Sequence, residues 1–391
     1  MTRGSFILTL TAAAFAALFS APAAQNAAPG AATDDWIVYV GTYTRAPSKG
    51  IYAGRYQSAT GKLTAIGLAA ETENPSFLAI HPNQRFLYAA NEISRYDGQA
   101  AGSVSAFSID AATGELKLLN RVSSKGAGPC HVAIDRTGKW LFVANYGGGS
   151  AAAYPVHDDG SLGEASAFFQ HAGSSANQQR QGGPHGHMAA VSPDNRFVLV
   201  ADLGLDQILS YKLDPAKGGL SPGDPPFAKV TTGSGPRHLA FRPDGKFVYV
   251  LGEMTSTVMT FQHNAGRGTL EQLQTVSSLP EGFTGRNSTA EIAVHPNARF
   301  VYASNRGHDS IAIFRIDPGK GTLAPVAHVS TQGKTPRNFS IDPGGNYLLA
   351  ANQDSGTVVV FRINRETGGL TPTGTELQVS SPVCVVFAKV R

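Results

Sequence analysis

The sequence predicts an all-β chain folded as a seven-bladed β-propeller, and three observations carry that prediction. A turn-centred frame recurs six times, anchored at Pro82, Arg136, Pro193, Pro243, Pro296 and Pro343, with intervals of 54, 57, 50, 53 and 47 residues. Each frame supplies two apolar runs, a third follows it, and a Gly-Leu turn usually leads to a fourth; four short strands in about fifty residues make one propeller blade. The two chain ends also supply complementary halves of one further blade.

Taken in order, residues 1–23 read as a secretory leader. Arg3 gives a short positive start, 5–20 is apolar, and Ala21, Pro22 and Ala23 offer a small-residue cleavage site. The apolar stretch is short of the ~20 residues of a membrane span, and nothing later is long enough. Residues 24–34 form an Ala/Pro/Gly linker. The expectation is an exported protein, periplasmic in a Gram-negative cell, with no membrane span in the mature chain.

From 35 to 391 the chain is one propeller domain. WIVYVGT at 36–42 resembles the second strand of a frame with no first strand before it. The six frames follow: AIHPNQRFLYAAN, AIDRTGKWLFVAN, AVSPDNRFVLVAD, AFRPDGKFVYVLG, AVHPNARFVYASN and SIDPGGNYLLAAN. Turn residues between β-rich apolar runs mark a hairpin in each, and the 3.6-period segments of a helical solenoid are absent. SPVCVV at 381–386 is a first strand with nothing after it. Pairing the C-terminal strand with the N-terminal blade makes the seventh blade and removes the exposed edges of an open array.

Composition narrows the partners. Lys+Arg of 32 against Asp+Glu of 28 leaves a net charge of only +4, with no basic block or stripe, so nucleic acid is not expected. The 44 glycines and 23 prolines fall at regular turn positions, which argues for many short strands and against disorder. Cys130 and Cys384 lie on inner strands two blades apart, beyond disulfide reach, and read as small buried hydrophobes.

The stretch 235–264 stands out. Its turn centres on Gly245, so a regular hairpin puts Arg237 directly opposite Glu253 at the open end, and no other frame repeats that pair. First-strand starts line the channel of a propeller, and second-strand ends lie at the same mouth. His131, His185, His187, Arg237, His238, Glu291, Arg337 and Asn338 occupy the former; Glu92, Glu253 and Arg306 occupy the latter. Convergent polar groups at a concave mouth are the default site. The Asn or Asp before these ends (Asn91, Asn145, Asp202, Asn305, Asn352) recurs and reads as a turn-fixing residue. No G-x-S-x-G elbow, H-E-x-x-H pair or Walker loop is present. An oxygen cage from Glu92, Glu253, Asn145 and Asp202 is disfavoured by the nearby arginines, so neither a metal nor another cofactor is expected.

Several of these phrases carry a resemblance. YVGTYT, GPHGHMAAVSPDNRFVLVADLGLD, GPRHLAFRPDGKFVYVLGEMTSTV, STAEIAVHPNARFVYASNRGHDSIAIF, PRNFSIDPGGNYLLAANQDSGTVVVF and SSPVCVVF together span the chain after the leader. They resemble the seven-bladed lactonase family that contains bacterial 6-phosphogluconolactonase and the fungal carboxy-muconate cyclase. The resemblance implies a catalytic mouth of His187 (or His185), Arg237, Glu253 and Arg306. It leaves His131, His185, His238, Glu291 and Arg337 as substrate-binding candidates. The chain departs from the family at Gly252, where Asn is usual, and in its export, since a phosphorylated sugar lactone of central metabolism is cytoplasmic.

The expected reaction is metal-free hydrolysis of a small sugar-acid lactone. Glu253 is the candidate base, although Arg237 opposite weakens it. Arg237 and Arg306 are candidates to bind carboxylate or phosphate and the oxyanion. His187 is the candidate acid. Two alternatives stand beside this: a lactonising cycloisomerase of the carboxymuconate type, and a non-catalytic ligand- or protein-binding propeller. A calcium-dependent lactonase is a further rival.

Overall fold

The computed structural model describes residues 1, 2, 4, 35–214, 216 and 219–390. The expected leader over 1–23, three of its residues apart, and the linker over 24–34 lie outside the described residues. The chain divides after Thr33, and the unit from Asp34 holds every strand described. Among the described residues no helix is long and apolar enough to cross a membrane.

Among the described residues, 28 strands form seven four-stranded sheets. Blade 1 is the composite. Its inner strand, Pro382–Lys389, pairs antiparallel with Asp35–Thr42, from Trp36 opposite Lys389 to Gly41 opposite Cys384. Blades 2 to 7 follow in chain order. Each inner strand touches the next around the whole ring, including Pro382–Lys389 against Pro75–Ile80 and Pro336–Ile341. The seven-bladed prediction and its closure by the two termini are what the chain does.

Each blade is flanked on both faces, so its second strand reads as an unbroken apolar run instead of an alternating one. Phe247–Gly252 is buried at all six positions, and its Tyr249 and Leu251 pack against Val301 and Ala303 of the next blade. The Gly-Leu turns at Gly160, Gly268 and Gly321 prove to be inter-blade locks, each glycine set against a phenylalanine ring of the preceding blade. Gly321 has φ of 69°, and a Cβ there would lie 2.3 Å from the ring of Phe247 in the preceding blade. Its carbonyl accepts a 2.9 Å hydrogen bond from the Tyr249 hydroxyl. Only glycine combines that dihedral with that approach.

One expectation needs correction. The hairpin of blade 5 is not in uniform register about Gly245: Phe241 faces Val248, Leu239 faces Val250, and Pro236 faces Gly252. Arg237 and His238 together oppose a single residue, which is a β-bulge, and the Glu253 amide donates to Gly235 O. Register shifts stand at the same point in every other blade: Pro75/Phe77, Pro129/His131, Gly186/Met188, Thr289/Ile292, Pro336/Asn338 and Gly41/Thr42. A bulge bends its strand and re-aims side chains. Here it delivers two consecutive residues per inner strand toward the channel, where simple alternation would deliver one.

The recurrent strand-end amides act as structural ties. Asn91, Asn145, Asn305 and Asn352 are fully buried, and their Nδ2 groups donate to Glu73 O, Ser124 O, Ser278 O and Thr331 O in the incoming inter-blade segments. At Gly252 the tie is missing. Thr257, Thr255 and Ser234 fill the space a side chain would need, and the buried Ser234 hydroxyl has no partner among the described residues.

Candidate active site

The bulges build two tiers at one end of the channel. The first holds His187, Arg237 and Arg337 from blades 4, 5 and 7, with the small Ser76, Cys130, Ala290 and Val383 at the matching positions of the others. The second holds His131, His238, Glu291 and Asn338, with Phe77 beside His131 at 4.0 Å between ring centroids. A small enclosed cavity lies between the tiers, lined by His187, Arg237, His238, Arg337, Asn338 and Glu92 among others.

Glu253 sits at the centre of the cations. Its Oε2 is 2.8 Å from Arg237 Nε and 3.0 Å from Arg306 Nη2, and its Oε1 is 2.7 Å from Arg180 Nη2. The anticipated Arg237–Glu253 pair therefore exists, made across the bulge and not by direct strand opposition. Burial opposes ionisation of Glu253, but Arg306, Arg237 and Arg180 outweigh it and hold the carboxyl at about 2. Arg237 is also fixed by a bond from Nη1 to Ala290 O, and Arg306 by a 2.8 Å bond from Nη2 to Thr289 O. Burial and the Arg237 charge lower Arg306 to about 9, still a cation at neutral pH. Arg337 donates to the Tyr43 hydroxyl at 2.8 Å, which in turn donates to Glu92 Oε2 at 3.0 Å.

The imidazoles are in a different state. His131, His187 and His238 are buried, and burial, reinforced by neighbouring cations, pulls each well below the ordinary histidine value. A histidine so held is neutral near pH 7 and accepts a proton before it can give one. His187 Nδ1 lies 3.8 Å from Cys130 Sγ. The Cys130 thiol is itself pushed far up by burial, so it is no nucleophile. Glu291 goes the opposite way from Glu253: burial raises it to about 7. It accepts from Asn338 Nδ2, and its Oε1 is 3.0 Å from His238 Nδ1.

Of the nine catalytic and substrate-binding candidates, the structure gathers eight around this mouth: His131, His187, Arg237, His238, Glu253, Glu291, Arg306 and Arg337. His185 stands apart at the rim. It stacks on Tyr146 at 4.4 Å, and its Nδ1 donates to Tyr146 O at 2.8 Å. Arg180 and Tyr43 escaped the sequence reading. Arg180 belongs to the segment 171–185 between blades 3 and 4, outside every repeat frame; the longest anchor interval, 57 residues, was its one trace. Its backbone is well anchored. Asn177 Oδ1 accepts from the Gln179 and Arg180 amides at 3.1 and 3.2 Å, and the fully buried Gln181 donates to Leu203 O at 2.9 Å. The Arg180 side chain is 44% exposed against 3% for Arg237 and 14% for Arg306, so of the three cations on Glu253 it is the one free to leave for an incoming anion. Four arginines face Glu253 and Glu92, which leaves an electropositive mouth suited to a carboxylate or phosphate.

Comparison with known proteins identifies the family. Residues 37–387 match the family described as lactonase, 7-bladed beta-propeller. The chain is 39% identical over 306 residues to a 6-phosphogluconolactonase of Bacillus subtilis, covering 78% of this chain and 84% of that one. It is 34% identical over 309 residues to a 6-phosphogluconolactonase of Formosa agariphila, covering 78% and 86%. The solved periplasmic gluconolactonase of Pseudomonas aeruginosa superposes with a TM-score of 0.85 at 34% identity, over 91% of this chain and 100% of that one. With its fold, its ring closure and nearly the whole propeller matched, the chain belongs to the seven-bladed β-propeller lactonase family.

Proposed function

We propose that the protein is a lactone hydrolase of the 6-phosphogluconolactonase type, opening the ring ester of a sugar-acid lactone at the arginine-lined mouth without a metal. The observation that carries this reading is the pairing of buried cations with buried neutral imidazoles around one cavity. Ester hydrolysis needs a proton acceptor for water and fixed positive charge where the carbonyl oxygen becomes an oxyanion. Arg237 and Arg337 line the cavity as that positive charge. Arg306 and Arg180 stand further out, suited to the carboxylate or phosphate of a substrate.

Glu253 does not serve as the base in this reading. Both of its oxygens are engaged, Oε1 by Arg180 and Oε2 by Arg237 and Arg306, so the carboxylate is not presented to water as a proton acceptor. Its work is to keep the arginines aligned and their charges balanced. Proton transfer falls instead to the imidazoles of His187 and His238, which enter the reaction neutral and so as acceptors first. Among the described residues no three His, Cys, Asp or Glu side chains converge as a metal ligand set.

The test is a panel of glucono-1,5-lactone, 6-phosphoglucono-1,5-lactone and a muconolactone, assayed with the spontaneous rate subtracted and with chelator present. The expected result is turnover of the sugar-acid lactones that survives exhaustive chelation. Turnover of the muconate substrate alone would transfer the site to the cycloisomerase reading.

Export is proposed on the leader pattern of residues 1–23, and the relative from Pseudomonas aeruginosa is described as periplasmic. Fractionation of a Gram-negative host is expected to recover the chain in the periplasm, with a new N-terminus just after Ala23. Full-length chain retained in the cytoplasm would contradict it.

A further inference from the structure

We propose that His238 is the general base of this site and that Glu291 is the residue that positions it, the two forming a dyad on the cavity floor. The inference rests on the lactone-hydrolase reading and assigns its proton transfer to a particular pair.

The geometry is that of a carboxylate-oriented imidazole. His238 Nδ1 is 3.0 Å from Glu291 Oε1, while His238 Nε2 is buried, on a ring that lines the cavity, and has no hydrogen-bond partner among the described residues. His238 is 2% exposed and Glu291 8%. An unpartnered ring nitrogen so deeply buried is costly unless a ligand or water completes it. Glu291 is held in turn. Its Oε1 accepts from the Ile292 amide at 2.9 Å, its Oε2 accepts from Asn338 Nδ2, and Asn338 Oδ1 accepts from the Val385 amide at 2.9 Å. The dyad is thus wired through the inner strands of four consecutive blades. His187, the other imidazole lining the cavity, has no carboxylate partner among the described residues; its Nδ1 lies 3.8 Å from Cys130 Sγ.

The carboxylate selects the tautomer. When Glu291 is ionised, His238 donates Nδ1–H to it and leaves the lone pair on Nε2, on a ring that lines the cavity. When Glu291 is protonated, it donates to Nδ1 and the proton moves to Nε2, where no base remains. In the step itself, water gives a proton to His238 Nε2 as its oxygen bonds to the lactone carbonyl carbon. The carbonyl electron pair moves onto oxygen beside Arg237. Collapse breaks the acyl–oxygen ring bond, and the departing alkoxide takes the proton back from Nε2, giving the open hydroxy acid. This is the logic of an imidazole oriented by a buried carboxylate.

The charged and titratable groups facing His238 are Arg237 on its own strand, Glu253 and Arg306 at second-strand ends, Arg337 from blade 7, and the His187 and His131 rings of blades 4 and 3, whose centroids lie 5.2 and 5.4 Å from its own. His131 and Cys384 face Glu291 from blades 3 and 1. Burial outweighs the cations and raises Glu291 to about 7, so its ionisation falls within the range where lactone hydrolysis is assayed.

The experiment compares glucono-1,5-lactone hydrolysis by the full chain, from about pH 5.5 to 8.5, for wild type, His238→Gln, Glu291→Gln and the double variant. Thermal melting is recorded for each. The wild-type kcat is expected to rise through an inflection near pH 7. Each single variant is expected to lower kcat by about 10²–10⁴-fold with little change in KM, and the double variant to be no worse than either single one. Glu291→Gln is expected to lose the inflection. Glu291→Asp, which stays ionisable, is expected to recover part of the rate with the inflection moved. The assignment is overturned if Glu291→Gln stays within about threefold of wild type with the same inflection, or if the single losses multiply in the double variant. If Glu291→Gln melts below the assay temperature, Glu291→Asp decides: a moved inflection supports the dyad and an unmoved one overturns it. A wild type inactive on every lactone defeats the hydrolase reading itself, whereas an active wild type indifferent to these changes defeats only the dyad.

Discussion

Replacing Arg237 by alanine is expected to lower kcat/KM for a sugar-acid lactone by about 10³-fold, since one preorganised oxyanion donor is worth roughly 10²–10³ in kcat and the substrate loses a binding partner as well. Two features make this guanidinium hard to replace. It is 2% exposed, so its charge acts with little screening by water. It is also held on both sides, by Glu253 and by Ala290 O, which keeps its position fixed before substrate arrives. Steady-state kinetics on a variant of native-like melting temperature check the effect. A fall of less than about tenfold would mean that Arg237 only staples its hairpin.

Glu253→Gln is expected to destabilise the protein in a pH-dependent way. The folded carboxyl titrates at about 2 against 4.5 in its ordinary state. A depressed acid contributes stability that is fully present above the unfolded value and is lost as pH falls through the folded one. The shift corresponds to roughly 3 kcal/mol, within the range measured when one member of a buried ion pair is removed. Arg180 contributes the smaller part, because its exposed end is screened. Urea unfolding is expected to give a gap of roughly 3 kcal/mol between wild type and variant near pH 7, closing progressively below about pH 4.5. An equal gap at pH 3 and pH 7 would contradict the account. Activity is expected to fall too, because three arginines lose their common counter-ion.

The fold was legible because its signals are local and repeated. The Pro243–Gly245 turn, the apolar run after it and the Gly-Leu turn each specify their own hairpin, and recurrence turned six weak signals into one strong one. The site was legible only in part. Eight residues could be placed at one mouth because blade symmetry fixes which strand ends meet. Their register could not, since the bulge at Arg237 and His238 is set by the packing of seven inner strands around a channel and leaves no mark in period-2 alternation. Their ionisation could not either. Glu253 and Glu291 are the same side chain at similar depths, yet one is held at about 2 and the other at about 7, because the first meets three guanidiniums and the second mainly an imidazole and an amide. Such differences come from contacts between blades, as does the reach of Arg180 to a glutamate 73 residues away.

The most direct test of the central claim is a crystal structure of the full chain soaked with the open hydroxy-acid product, gluconate or 6-phosphogluconate. The account predicts product density at the arginine-lined mouth over this cavity, its carboxylate within hydrogen-bond distance of Arg237 or Arg337 and Arg180 withdrawn from Glu253. Product bound elsewhere on the propeller, with this cavity unchanged and Arg180 still on Glu253, would contradict it.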